Sequence, residues 1–288
     1  MAEEKNKIIE GTLYLVATPI GNLADISERA VKALTECDFI AAEDTRNSLR
    51  LLTALGIKNE LVSYHEHNKH QSGERIVARL LSGESCALIT DAGMPAISDP
   101  GEDIVRLCAD AGITVSVIPG ACAAVSALSV SGLPTARFVF EGFLPVQKSE
   151  RQKRLDALKF ESRTVIFYEA PHKLVATLGA LCETFGGTRR ISLCRELTKL
   201  NEDIVRCTLD EAVGHYEKNE PRGEYVLVLE GADESACERE GNSRLLLSPE
   251  EHVQSYIDEG LSKMDAIKRA AKERGVPKSE LYKILAND

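Results

Sequence analysis

Short apolar runs alternate with amphipathic stretches along the first 120 residues of the chain. The apolar runs predict buried strands at 13–17, 39–42, 61–63, 86–90 and 114–118. Between them, apolar residues recur at the helical spacing, which predicts helices at 26–34, 47–55, 73–81 and 103–111. Strands separated by crossover helices indicate a mainly parallel sheet. We therefore expect an α/β domain over residues 11–120.

The alternation of strands and helices resumes, with a different spacing, after Leu133 and Pro134. Strands are predicted at 138–141, 164–168, 190–194, 204–208 and 225–230, and helices at 150–159, 171–184 and 210–217. These elements predict a second α/β domain over residues 121–231. The predicted fold class is thus α/β, with one sheet in each of two domains.

A polar segment separates the second domain from a helical C-terminal region. Residues 232–247 have few apolar side chains to bury, and we predict a linker there. Three signals for the start of a helix then coincide. Ser248 is a favourable cap, Pro249 occupies the first helical position, and Glu251 completes a capping box.

Two further helices are predicted at 263–273 and 278–286, on either side of a Gly-Val-Pro turn. The three helices together predict a small helix-turn-helix-like module at 248–288. The net charge of the chain is −10, which argues against a general nucleic-acid-binding protein. Segment 262–283 nevertheless carries seven basic and three acidic residues, so we expect a local basic surface there.

Composition limits the class of protein and its compartment. Hydrophobic residues make up 43% of the chain, and the core must be mainly aliphatic because aromatic residues are only 5%. The N-terminal residues lack the apolar run of a signal peptide, and the longest apolar segment, 115–130, is interrupted by serine, proline and glycine. We expect a cytoplasmic protein that does not cross a membrane. None of the eight cysteines has Cys-x-x-Cys spacing, so we expect them to be reduced and structural.

Two strand-to-helix turns carry the candidate chemistry. Residues 89–101 run from a predicted strand into an acidic loop rich in glycine and proline, and residues 115–124 run from the next strand through a Pro-Gly turn into small residues. The carboxyl ends of neighbouring strands are where open α/β sheets bind ligands. The small residues allow a ligand to lie against bare backbone.

These two turns resemble the S-adenosylmethionine site of the tetrapyrrole-methylase superfamily. Its Gly-Asp-Pro-type loop corresponds to residues 92–94, and its Pro-Gly-x-Ser-Ser turn corresponds to residues 119–123. Five further segments resemble the ribosomal small-subunit methyltransferase I branch of that superfamily: 13–25, 42–46, 140–145, 167–172 and 195–199. The resemblance is collinear over about residues 11–231 and extends to the C-terminal region.

The resemblance implies two α/β domains of the tetrapyrrole-methylase type with a cofactor cleft between them. It implies S-adenosylmethionine as the cofactor, and the cofactor-binding residues it implies are Asp91, Gly93, Met94, Pro95, Ala96, Ser98, Pro119, Cys122, Ala123 and Tyr168. This chain has Gly93-Met94 and Cys122-Ala123 where the wider superfamily has Asp-Pro and often Ser-Ser. We therefore expect contacts from the backbone of these turns rather than from their side chains.

The function that the resemblance implies is 2′-O-methylation of a cytidine ribose in the decoding centre of 16S rRNA by a homodimer. The substrate partner would be 16S rRNA or the small ribosomal subunit. A small-molecule methyltransferase acting on a tetrapyrrole is one alternative, although the basic C-terminal module argues against it. A non-catalytic ribosome-binding protein with a degenerate cofactor cleft is another. For the module at 248–288, RNA docking, stabilisation of a dimer and a merely solvated helical cap all remain open.

The residues alone do not identify the catalytic base. Glu43, Asp44 and Arg46 follow a predicted strand, at the edge of the sheet that faces the expected cleft. Glu43 or Asp44 can accept the 2′-hydroxyl proton or orient the ribose, and Arg46 can pair with an RNA phosphate. A solvated turn with a helix cap explains the same three residues about equally well.

A cluster of histidines resembles part of a metal site, but the sequence offers no further ligands to complete one. His65 and His67 alternate along an extended segment, and His70 follows them. No matching group of ligands occurs elsewhere in the sequence, so we expect no metal. A polar loop at the edge of the cleft is the preferred interpretation.

Overall fold

The computed structural model describes residues 6–233 and 247–285. The described residues form two compact units. The first contains residues 6–156 and 164–230, and the second contains 157–163, 231–233 and 247–285. Most of the predicted linker, residues 234–246, lies outside the described residues, and the predicted domain boundary at residue 120 stays a prediction. No helix in these ranges is both long enough and apolar enough to span a bilayer.

The first sheet of the larger unit is parallel throughout, as predicted. Its strands are β1 (Thr12–Val16), β2 (Phe39–Ala42), β3 (Leu61–Ser63), β4 (Cys86–Ile89) and β5 (Thr114–Ile118). The helices between them are α1 (Glu28–Glu36), α2 (Thr45–Ala54), α3 (Lys69–Leu81) and α4 (Gly101–Asp110). The strand order is β3-β2-β4-β1-β5, and every neighbouring pair is parallel.

Burial on both faces explains why the strands of this sheet are nearly continuous apolar runs. All four residues of β2 are buried and alternate between two clusters. Phe39 and Ala41 pack in a cluster with residues of α3 and α4, whereas Ile40 and Ala42 pack in a cluster with residues of α1 and α2. Each large side chain removed from water in this way contributes about 1.5–3 kcal/mol.

The chain leaves β1 and β4 in opposite directions across the sheet. The connection from β1 passes β4 to reach β2, and the connection from β4 passes β1 to reach β5. The strand order therefore reverses between β1 and β4, and a crevice opens at their carboxyl ends. The loops that follow these two strands are thereby placed side by side.

The second sheet of the larger unit is mixed. Its strands are β6 (Phe138–Phe143), β7 (Thr164–Glu169), β8 (Arg190–Arg195), β9 (Asp203–Thr208) and β10 (Tyr225–Leu229), in the order β6-β7-β10-β8-β9. Only β6 and β7 pair in parallel, and the other three pairs are antiparallel. Its helices are α5 (Ala123–Val130), α6 (Lys148–Leu158), α7 (Pro171–Phe185) and α8 (Leu209–Tyr216).

The smaller unit contains the three predicted C-terminal helices, α9 (Pro249–Asp258), α10 (Lys263–Arg274) and α11 (Lys278–Leu285). The predicted capping box is confirmed, because the Ser248 hydroxyl accepts from the Glu251 amide at 3.1 Å and the Glu251 carboxylate accepts from the Ser248 amide at 2.9 Å. Gly275 ends α10 in the left-handed conformation, with φ 67°. The small apolar core of this unit contains Val253, Ile267 and Leu281.

Candidate functional site

A pair of backbone hydrogen bonds joins the loops that leave β1 and β4. The Thr18 amide donates to the Gly93 carbonyl at 2.9 Å, and the Gly93 amide donates to the Thr18 carbonyl at 3.2 Å. Gly93 has φ 86°, and a Cβ there would lie 3.2 Å from Cγ2 of Ile20. Because the Gly93 amide is used in this bridge, the residue fixes the loop and cannot donate that hydrogen bond to a ligand.

The carboxylate of Asp99 organises the rest of the loop after β4. It accepts from the amides of Ala96 at 3.0 Å, Ile97 at 3.2 Å and Gly101 at 2.7 Å. Ala96 and Ser98 have φ values of 67° and 65°, a conformation that costs a non-glycine residue about 1–3 kcal/mol. The three hydrogen bonds to Asp99 offset this cost and hold the loop in one shape.

The turn after β5 brings the start of α5 to the same edge of the sheet. Gly120 admits no side chain, because a Cβ there would lie 2.9 Å from the Cβ of Ala17. Cys122 caps α5 without a side-chain hydrogen bond, and the Tyr168 hydroxyl accepts from the Ala124 amide at 3.2 Å. The first amides of a helix lack intrahelical partners and carry partial positive charge, so this end of α5 suits an anionic group.

These loops line a cavity of about 480 Å³ together with residues of the second sheet. A volume of about 300–1,000 Å³ is usual for a small-molecule site. The predicted site residues that line the cavity are Glu43, Asp91, Gly93, Met94, Ser98, Cys122, Ala123 and Tyr168. The predicted residues outside the cavity lining are Pro95, Ala96, Pro119, Asp44 and Arg46.

Three carboxylates make the first-sheet side of the cavity acidic. Glu43 accepts from the Thr90 hydroxyl at 3.0 Å, and Asp91 accepts from the Asn47 side chain at 3.0 Å. Within the described ranges, neither of these residues nor Asp99 forms an ion pair with lysine or arginine. Burial raises the pKa of Glu43 above its ordinary value, and the nearby charges of Asp91 and Asp99 raise it further.

Carboxylates on the second-sheet side are already partnered. Lys199 lies between Glu196 and Glu224, with Nζ 2.9 Å and 2.8 Å from their carboxylate oxygens. Glu169 is buried and accepts from the Thr177 hydroxyl at 2.5 Å and from the Ala170 amide at 2.9 Å. On this side one lysine offsets part of the negative charge, whereas on the first-sheet side the carboxylates have no lysine or arginine partner among the described residues.

The structure separates the three candidates for the catalytic base. Asp44 caps α2 by accepting from the Arg46 amide at 2.8 Å, and it forms an ion pair with the guanidinium of Arg46 at 2.9 Å. The side-chain hydrogen bonds from Arg46 lower the pKa of Asp44 to about 2. The Arg46 side chain is 86% exposed. Only Glu43 lines the cavity.

Several lining residues were not predicted from the sequence: Asp99, Glu169, Glu196, Lys199 and Glu224. The Asp-Pro-Gly sequence that contains Asp99 was a usable signal, because aspartate commonly accepts hydrogen bonds from the backbone two residues onward. Glu196 and Lys199 lie in segment 195–199, which resembles the family, but that resemblance gave them no role, and Glu224 gave no local signal. They meet because β8 and β10 pair across about 30 residues of intervening chain.

The histidine cluster forms an ordered turn. The His65 amide donates to the Asn68 side chain at 2.8 Å, and the rings of His65 and His67 lie 6.0 Å apart in an edge arrangement. The part of the chain that the structure describes contains no group of three or more histidine, cysteine, aspartate or glutamate residues placed to hold a metal ion. The absence of a metal in the functional protein stays a prediction.

Two solved structures that share this fold are named as methyltransferases. Uroporphyrin-III-C-methyltransferase from Thermus thermophilus superimposes with a TM-score of 0.56 at 22% identity, covering 76% of this chain and 94% of that one. A second structure, uroporphyrin-III C-methyltransferase from Thermus thermophilus complexed with S-adenyl homocysteine, gives a TM-score of 0.54 at 19% identity and covers 76% of this chain and 97% of that one. At these identities, the likeness establishes the fold.

The chain belongs to the Tetrapyrrole (Corrin/Porphyrin) Methylases family, whose model matches residues 12–213. It is 50% identical to the Ribosomal RNA small subunit methyltransferase I of Halalkalibacterium halodurans over 275 residues, which cover 96% of this chain and 94% of that protein. It is 48% identical to the Bacillus subtilis protein of the same name over 272 residues, which cover 94% of this chain and 93% of that protein.

We predict that Asp99→Ala will release the loop after β4. Hydrogen exchange at the Ala96, Ile97 and Gly101 amides should become faster, because all three lose their acceptor. Asp110→Ala removes an exposed carboxylate at the end of α4 and serves as the matched control. Unchanged protection of the three amides in Asp99→Ala would show that the carboxylate does not hold the loop.

Proposed function

We propose that this chain is an S-adenosylmethionine-dependent methyltransferase that acts on 16S rRNA of the small ribosomal subunit. The observation that supports this choice of substrate is 50% identity, over nearly the whole chain, to a protein named for methylation of small-subunit ribosomal RNA. The finer proposal is transfer to the 2′-hydroxyl of a cytidine ribose in the decoding centre, which rests on resemblance to that branch of the family.

The charge of the cavity supports this cofactor. When bound, S-adenosylmethionine supplies a methyl group on a positively charged sulfonium, and the molecule carries a net positive charge at neutral pH. Glu43, Asp91 and Asp99 provide a negative field on one side of the cavity, without a lysine or arginine partner among the described residues. In a site with restricted solvent, such fixed charges act more strongly than they do in water.

The cofactor-binding residues divide into two groups in this proposal. Asp91, Gly93, Met94, Ser98, Cys122, Ala123 and Tyr168 line the cavity and contact the cofactor. Pro95, Ala96 and Pro119 shape the two loops from outside the lining. Small side chains at Cys122 and Ala123 leave the start of α5 open toward the cavity, where the partial positive charge of the helix N-terminus favours a carboxylate.

Glu43 is the general base in this proposal. A ribose hydroxyl is a poor nucleophile at neutral pH, so a carboxylate that accepts its proton assists the attack on the methyl carbon. The Thr90 hydroxyl orients Glu43, and burial raises its pKa, which makes it a stronger proton acceptor than an exposed glutamate. Asp44 is unsuited to the same role because hydrogen bonds from Arg46 lower its pKa to about 2, which makes it a weak proton acceptor, and because it does not line the cavity.

Two further parts of the proposal concern assembly and compartment. We propose a homodimer, as the family resemblance implies. Exposed apolar side chains on the edge strand β5 and on α5, Val117 at 50% and Val125 at 49%, are consistent with a protein contact. We propose that the protein works in the cytoplasm, where ribosomal subunits are assembled.

The direct test of this function is methylation mapping of 16S rRNA. RNA from cells that lack the protein should miss one 2′-O-methyl group on a decoding-centre cytidine, and purified protein with S-adenosylmethionine should restore it. Mass spectrometry of nuclease fragments locates the group. If the two RNAs carry identical modifications, this chain does not methylate 16S rRNA in the cell.

We predict that Gly93→Trp will abolish detectable S-adenosylmethionine binding in isothermal titration calorimetry. An indole at this position has the Ile20 side chain beside it and fills part of the cavity. Gly112→Trp is the matched control, because Gly112 also has a positive φ, 70°, but faces open space. Equal affinity in both variants would place the cofactor elsewhere.

We predict that Glu43→Gln will lower the methyl-transfer rate roughly 10²- to 10⁴-fold. Cofactor affinity should fall much less than the rate, because Asp91 and Asp99 keep the negative field of the cavity. As pH falls through the raised pKa of Glu43, the wild-type carboxylate gains a proton and the rate should fall. This acid limb should be missing from the pH–rate profile of the variant.

The comparison variant for this experiment is Asp44→Asn, which keeps a capping side chain at the start of α2. It should retain most of the activity and the acid limb. A larger loss in Asp44→Asn than in Glu43→Gln would make Asp44 the base and would refute the assignment to Glu43.

A further inference from the structure

Charge is divided unevenly among the helices of the smaller unit. Helix α9 and its C-cap carry Glu250, Glu251, Asp258 and Glu259 but no lysine or arginine. Helix α10 carries five basic and two acidic residues, and α11 continues the basic character. In a chain with a net charge of −10, this concentration of positive charge requires an explanation.

Two of the basic residues stabilise the unit itself. Arg274 donates from Nε to Nδ1 of the fully buried His252 at 3.0 Å, and it also donates to the Leu247 carbonyl. Arg269 stacks over the Tyr256 ring at 5.0 Å and lies 3.7 Å from the Glu273 carboxylate. Packing and hydrogen bonds within the unit therefore account for both arginines.

Four lysines have no such internal role. Lys263, Lys268, Lys272 and Lys278 are exposed, and none forms an ion pair within the described ranges of the chain. Lys268 and Lys272 are one helical turn apart, on the side of α10 opposite its buried residues Ala266, Ile267, Ala270 and Ala271. Lys263 lies three and four residues before the buried Ala266 and Ile267 and is therefore on the other side of α10. We call Lys268 and Lys272 the lysine face.

Acidic residues near the lysine face form no ion pair with its lysines. Asp265, three residues before Lys268, is exposed and keeps its negative charge, and its carboxylate accepts a hydrogen bond from the Ser262 hydroxyl at 2.7 Å. Glu273 is used by Tyr256, His252 and Arg269. The ammonium groups of the four lysines therefore remain available to an external anion.

An exposed aromatic side chain accompanies Lys278 on α11. Tyr282 is 43% exposed and lies one turn beyond Lys278, while Leu281 between them is buried. Cationic groups beside an exposed aromatic ring are typical of surfaces that bind single-stranded nucleic acid, since phosphates meet the cations and a base stacks on the ring. Lysine is depleted in the cores of protein–protein interfaces, which makes a protein partner a poorer fit.

We propose that the smaller unit docks the enzyme on ribosomal RNA through the lysine face, using contacts that are separate from the methyl-transfer cavity. The proposal rests on the proposed function, because it takes ribosomal RNA as the partner. Each lysine neutralises a phosphate and releases a counterion, so the contribution to affinity depends on salt. The acidic cavity then does not have to attract the polyanionic substrate by its own charge.

The test compares two double variants of the full-length protein. Lys268→Gln/Lys272→Gln removes both charges of the lysine face, and glutamine preserves helix propensity. Lys58→Gln/Lys218→Gln removes the same charge from exposed positions of the larger unit and is the matched control. Affinity for unmethylated 16S rRNA and for unmethylated small subunits is measured by filter binding over a series of salt concentrations.

We expect the log–log salt slope of the first variant to fall by about 1.4–1.8, since each phosphate contact contributes about 0.7–0.9. A slope change of this size over one decade of salt corresponds to roughly 25- to 60-fold weaker binding at about 0.1 M. The control variant should keep the wild-type slope. Tyr282→Ala should also weaken binding, and Tyr282→Phe should not.

Two outcomes would overturn the proposal. One is an unchanged affinity and salt slope in Lys268→Gln/Lys272→Gln. The other is a change in sedimentation to a different oligomeric state with RNA binding intact, which would make the face a protein contact. Failure of the proposed function looks different, because wild-type protein would then bind S-adenosylmethionine or RNA without methylating it.

Discussion

The site depends on the reciprocal hydrogen bonds between the Thr18 and Gly93 backbones. They join the loops of β1 and β4 at the point where the strand order of the parallel sheet reverses. Farther along the loop after β4, the Asp99 carboxylate accepts hydrogen bonds from backbone amides and fixes the loop conformation. The turn before α5 packs closely against Ala17 at Gly120, where no side chain fits. Backbone geometry, more than side-chain chemistry, therefore shapes the cavity.

The two units differ in the charge that they expose, and this difference fits the separate roles proposed for them. The cavity keeps Glu43, Asp91 and Asp99 unpaired among the described residues, which suits a cationic methyl donor and repels phosphate. Exposed lysines of α10 and α11 offer the opposite charge in the smaller unit.

Local sequence patterns predicted the features that depend on neighbouring residues in the chain, namely strands, helices and helix caps. The strands of the first sheet and the Ser248 capping box follow from apolar periodicity and capping chemistry, and both are confirmed. Pairing between distant strands is not encoded locally, so the mixed second sheet and the partnership of Lys199 with Glu224 were missed. The sequence could not choose among the three candidates for the base, because only the fold turns Glu43 toward the cavity and ties Asp44 to Arg46.

Photochemical cross-linking with tritiated S-adenosylmethionine tests the central claim most directly, which is that these two loops form the methyl-donor site. Ultraviolet irradiation of the complex, followed by proteolysis and peptide sequencing, locates the labelled residues. We predict label in peptides that contain 89–101, 119–124 or 167–172, and competition by unlabelled S-adenosylhomocysteine should remove it. The account would be contradicted if the label that S-adenosylhomocysteine removes lay only in peptides outside these segments, such as 247–285.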